Sequence, residues 1–145
     1  MQRPENWQDV DRLTRGEGLP EPIRERIVRL AKFLDETSGV RADYQRDSSA
    51  PRVSFGAKLL TGNGPTLWFV GYRPQQDLPD LKVLPPNAGW PKLPQRVLGA
   101  FKDRLSAGGF PMDRIGVLIP FNEVNDTICD AIVSAMLLAV RAGRP

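Results

Sequence analysis

The stretch DRIGVLIPFNEVNDTICDAIVSAMLLAVR, Asp113 to Arg141, decides the reading of this chain. It opens on an apolar segment, Ile115, Val117, Leu118 and Ile119, which predicts a strand, and passes through Pro120 and Asn122 into the most hydrophobic helix of the sequence. Val124, Ile128, Ile132, Met136 and Val140 recur every four residues, and Cys129, Val133 and Leu137 form a second row one position along. Ala131, Ala135 and Ala139 widen the stripe with small side chains, leaving Asp126, Asp130, Ser134 and Arg141 for water. A helix this apolar is covered on more than one side. It lies either between a sheet and a second helix, or on a sheet with its outer side in a homodimer interface. Asn125 is placed to cap its start, Asp126 and Asp130 complement the dipole, and Gly143 and Pro145 end it.

Working outward, residues 1–19 are polar, with Trp7, Val10, Leu13 and Leu19 as anchors, and read as an irregular or partly helical N-terminal arm docked by Trp7. From Pro20 the pattern changes. Pro22 suits a first helical turn, and Ile23, Ile27, Leu30, Ala31 and Leu34 make one apolar stripe of a helix ending near Gly39. Val40, Ala42 and Tyr44 alternate with polar residues as an edge strand. Val53, Phe55, Ala57 and Leu59 alternate with Arg52, Ser54, Gly56 and Lys58, Gly62 to Gly64 supply a turn, and Thr66 to Tyr72 returns as the second arm of a hairpin.

Arg73 to Pro94 holds six prolines around a short apolar piece, Leu81 to Leu84, read as a further strand. A connection this long often covers a site or carries an interaction, so Asp77 to Trp90 is a candidate for either, as the roof of a pocket or as a binding loop. Pro94 then opens a helix with the face Val97, Leu98, Phe101 and Leu105, stopped by Gly108 and Gly109. The expected fold is α+β: residues 20–145 form a single domain in the order α(β)βββαβα, an antiparallel sheet of three to five strands packed against three helices.

The 145 residues suffice for a real core without staples. A net charge of +3 permits contact with nucleic acid or an acidic partner, and the single cysteine, Cys129, on an apolar helix face reads as a buried thiol in a reducing compartment. With no signal-like or membrane-spanning apolar run, the expected location is cytoplasmic. The sequence has no histidine, which removes Ser/His/Asp and Cys/His nucleophile pairs and histidine-bearing zinc sites. It also lacks GxGxxG and GxxxxGK[ST] phosphate cradles. Glu123, Asp126 and Asp130 read as a solvated stripe rather than a metal site, and Asp77 and Asp80 as solvated loop carboxylates. No catalytic residue, metal ligand or cofactor is assigned.

The hairpin's outward side carries the candidate binding residues. If Val53, Phe55, Leu67 and Phe69 face the core, then Arg52, Ser54, Lys58, Trp68 and Tyr72 share the other face, with Arg73 at its edge and Trp90 in the neighbouring loop. Cations interleaved with aromatics neutralise phosphates and stack bases. The alternative is that a helix covers this face, Trp68 is core, Lys58 snorkels at the margin and Trp90 is a loop anchor.

The succession LPEPIRERIVRLAKFL, RVSFGAKLLTGNGPTLWFVGYRP and IGVLIPFNEVNDTICDAIVSAML resembles the YdhG-like small proteins, grouped with the frataxin-like and YjbR-like α+β folds. The resemblance implies a helix before a short antiparallel sheet, and a final strand ending near Phe or Pro that runs into the closing helix. Some members are described as iron chaperones and some as DNA-binding proteins. Frataxin-type iron binding uses an acidic ridge on the first helix, whereas this one carries Arg24, Arg26, Arg29 and Lys32 beside Glu21, Glu25, Asp35 and Glu36. The proline-rich Asp77 to Pro94 segment also departs from the compact pattern.

Three functional expectations follow. The first is a non-enzymatic binding module whose protein or nucleic-acid partner meets the basic and aromatic hairpin surface. The second is a small-molecule or metal-binding protein, including an enzyme without histidine, with its pocket under the Asp77 to Trp90 loop. The third is a homodimer assembled through the closing helix.

Overall fold

The apolar stripe of the helix after Pro20 is buried as its spacing requires: Ile27, Leu30, Ala31 and Leu34 are each at most 1% exposed. In the computed structural model, which describes residues 4–44, 53–61, 64–72, 77–86 and 90–144, this helix is α2, Glu21–Glu36. It is preceded by α1, Trp7–Gly16, and followed by the strands β1 Val40–Tyr44, β2 Phe55–Leu59, β3 Thr66–Gly71 and β4 Asp80–Val83. Then come α3, Gln95–Ala107, the short β5, Ile119–Pro120, and α4, Asp126–Ala142. Single tight helical turns at Trp90–Lys92 and Met112–Arg114 precede and follow α3. The result is an α+β domain with four helices and a five-stranded antiparallel sheet in the order β1-β2-β3-β4-β5.

The fourth helix is α1, in the segment expected to be an arm. Asn6 caps it by accepting the Asp9 N–H, and Val10 and Thr14 are both 0% exposed against the rest of the molecule. The buried Thr14 hydroxyl is satisfied within the helix, donating to the Val10 carbonyl at 2.7 Å. Trp7 does dock this segment: its backbone N–H donates to the Asp35 carboxylate at 2.6 Å, and Lys32 Nζ lies 5.0 Å from its ring centre. Arg24 of α2 reaches back to Asp11 of α1 and also holds Glu21. A buried guanidinium needs such carboxylates, so this pairing fixes how the two helices meet.

Register explains which sheet face is core. Phe55 pairs with Val70, Ala57 with Trp68, Trp68 with Val83 and Leu81 with Ile119, so these side chains share one face. All are buried, and they form one cluster with the apolar faces of α2, α3 and α4. The register of β2 against β3 shifts between Ala57 and Lys58, because Lys58 pairs with Thr66 and leaves Leu67 as an extra residue. At this bulge two consecutive side chains, Leu67 and Trp68, are both 0% exposed.

The closing helix has the caps its sequence signals. Asn125 Oδ1 accepts from the Ile128 N–H at 2.9 Å, and the Gly143 N–H returns to the Ala139 carbonyl. Close approach covers it: a Cβ on Gly108 would come within 3.0 Å of Ala131 Cβ, and one on Gly39 within 2.7 Å of Val140. The strand before it is much shorter than the apolar run predicts. Gly116 takes a φ of 81° and donates to the Val83 carbonyl, so the chain turns there and Val117 is left 48% exposed. Among the described residues no helix is long and apolar enough to cross a membrane.

Candidate binding face

Of the candidate binding residues, Trp68 and Trp90 lie in the core at 0% and 1% exposure, a correction to their place on an accessible surface. Trp68 belongs to the face of Val70 because its partners are Ala57 and Val83. Trp90 packs edge-on against Phe101, with ring centres 5.4 Å apart at 88°. Neither indole N–H has an acceptor among the described residues, so apolar burial sets their position. Tyr72, half-buried just beyond β3, follows the same alternation as Trp68 and sits at one end of the sheet. Arg52 and Arg73 lie outside the described residues. Lys58 is on the outward face as expected, its side chain 22% exposed and its ammonium 3.4 Å from Asp43.

The outward aromatic is Phe69, which the alternation pattern had assigned to the core. It pairs with Gly56 on one side and Lys82 on the other, and it keeps partial exposure while its neighbours Trp68 and Val70 are buried. Across the same face run Arg41, Lys58 and Thr66 in one row and Asp43, Gly56, Phe69 and Lys82 in the next. The third row is Gly71 opposite Asp80, with Ser54 over it: Ser54 Oγ donates to the Val70 carbonyl at 3.3 Å and would sit 2.5 Å from a Cβ on Gly71. Phe69 lies in the central strand with Gly56 opposite it and Gly71 two residues on, and Lys58 and Lys82 lie on the strands to either side. Of the two carboxylates, Asp43 is matched by Lys58 and Asp80 is buried at 2% exposure.

The expected roof over a pocket is built differently. Its middle is β4, and Trp90 anchors its end in the core. Its first residues, Asp77 and Leu78, border a cleft of about 820 Å³ shared with Tyr72 and with Arg12, Leu13 and Leu19 near the α1–α2 turn. Among the described residues no group of three or more His, Cys, Asp or Glu is placed to hold a metal ion. Glu123, in the turn before α4, instead meets Arg114 at 3.4 Å, Asp126 meets Arg26 at 3.3 Å and Asp130 meets Arg29, so these carboxylates are tied to cations from other elements. No protein-family model, curated protein or solved structure matches the chain.

Proposed function

We propose that the protein is a non-enzymatic binding module and that its partner, a single-stranded nucleic acid, lies across the outward face of the sheet. The observation that carries this is Phe69, partly exposed between Gly56 and Lys82 with Lys58 one row away. A partly exposed aromatic ring gives a splayed base a stacking surface, and flanking ammonium groups meet the phosphates on either side. A duplex offers no exposed base face, so an aromatic ring on a sheet favours single strands over double strands. The last strand, which ends at Pro120 ahead of the closing helix, is a feature of the kind the YdhG-like resemblance implies, and it is what supports placing the chain beside that group.

Binding of labelled single- and double-stranded oligonucleotides at low and near-physiological salt tests the proposal. Single strands should bind at low salt, with affinity falling as salt rises. Lys82→Glu and Lys58→Glu should weaken this binding without unfolding the protein. Binding by both variants equal to that of the wild type, or binding of duplex alone, would overturn it, and absence of any binding at low salt would overturn it in favour of a protein partner for this face.

A second reading, small-molecule binding, rests on the cleft beside Asp77 and Leu78. Its volume of about 820 Å³ falls in the range of ligand sites, roughly 300–1,000 Å³. A thermal shift on screening that Leu78→Arg abolishes would favour it, and the absence of any shift would remove it.

A further inference from the structure

β1 is an edge of the sheet, paired to β2 on one side and to no strand on the other among the described residues. An open edge of five residues is a template for another chain, and natural proteins blunt such edges with charge. The charges here have an unusual arrangement. Arg41 lies directly opposite Lys58, a like-charge cross-strand pair that disfavours the sheet. Lys58 leans diagonally to Asp43 at 3.4 Å, and Arg41 is exposed with no carboxylate in ion-pair reach among the described residues.

We propose that β1 pairs antiparallel with β1 of a second copy, on a two-fold axis through Ala42. In that register Arg41 of each copy faces Asp43 of the other on the outward side, and Val40 faces Tyr44 on the core side. The pairing is self-complementary, as a two-fold interface must be. Neighbouring registers are selected against. A two-fold axis through Arg41 sets two guanidinium groups face to face, and one through Asp43 sets two carboxylates face to face. A shift by a single residue turns one copy over and brings a charged side chain to the other copy's helix-covered face. The charges that block other registers therefore specify this one. The product is one continuous sheet with helices on a single side, and Arg41 takes over Asp43 and releases Lys58. This pairing needs no ligand and stands apart from the nucleic-acid reading.

Sedimentation velocity over a concentration series, from low micromolar to near-millimolar, tests it. The wild type should pass from monomer to dimer as concentration rises. Arg41→Asp alone places carboxylate against carboxylate, and Asp43→Arg alone places guanidinium against guanidinium, so each should remain monomeric where the wild type is half dimer. Both changes are at exposed positions, and far-UV circular dichroism should show the wild-type fold. Mixed in equal amounts, the two variants should recover the dimer, because each then meets the opposite charge. A wild type that is monomeric throughout, single variants that dimerise like the wild type, or a mixture that stays monomeric would each overturn the proposal.

Discussion

Two single side chains report on how tightly this small domain is closed. The Tyr44 hydroxyl donates to the Asp35 carboxylate at 2.9 Å; burial first, and then that bond and its charge, push the phenol's pKa above the ordinary 10.0. A proton held more tightly in the folded state stabilises fully below the ordinary tyrosine range, and that stabilisation is lost as pH climbs above it. Denaturant unfolding at rising alkaline pH should thus show a decline in stability that Tyr44→Phe largely lacks; identical pH profiles would contradict the role of this bond. Cys129 is 0% exposed, and burial raises its thiol to about 11 against the opposing pull of Arg29 and Arg26. Since the thiolate is the reactive form, a thiol reagent at neutral pH should label Cys129 only at the rate at which the protein opens. Rapid labelling of the native protein would mean that α4 is far less covered than the structure shows.

The elements follow from patterns of very different legibility. α2, α3 and α4 were readable because each has one apolar stripe and a start or stop residue, and Asn125 and Gly143 do cap α4 as the sequence signals. Asn125→Ala should cost about 1 kcal/mol in denaturant unfolding, since it strands the Ile128 N–H. Phe101→Ala, which removes the ring packed between Trp90 and the α3–α4 contact, should cost more, about 3–5 kcal/mol. Equal costs for the two would show that the helix interface is looser than its burial indicates. α1 was legible only as anchors, because Val10, Leu13 and Thr14 make a stripe of two apolar residues and one threonine whose hydroxyl folds back on its own helix. The faces of β3 are legible in the sequence only as two alternatives, and the one that puts Trp68 in the core is the one the structure has. Leu67 and Phe69 make as good an apolar row as Trp68 and Val70, and the bulge opposite Ala57 and Lys58 buries residues from both rows. Choice of face therefore rested on strand partners, and it moved the outward aromatic from Trp68 to Phe69. The apolar run before Pro120 was overread for a related reason: Gly116, at positive φ, breaks it into a turn and a two-residue strand.

At the scale of the molecule, all four helices and the core face of the sheet join in one hydrophobic cluster; among the described residues no strand pairs with the outer edge of β1, and the opposite sheet face carries the partly exposed Phe69, Lys58 and Lys82. The closing helix, whose composition suggests an interface, spends most of its apolar surface inside the chain: of its second row Cys129 is buried, Val133 is half-buried and Leu137 is 38% exposed. The outward face is where the account of function stands or falls, and Phe69 is its centre. Stacking on one aromatic ring contributes about 1–3 kcal/mol per base. The decisive measurement is the affinity of Phe69→Ala for a labelled single-stranded oligonucleotide at low salt, beside the wild type and with unfolding measured on both. Wild-type binding should weaken about fivefold or more in the variant while the fold persists. Equal affinity of the two proteins, or no binding by the wild type, would contradict it.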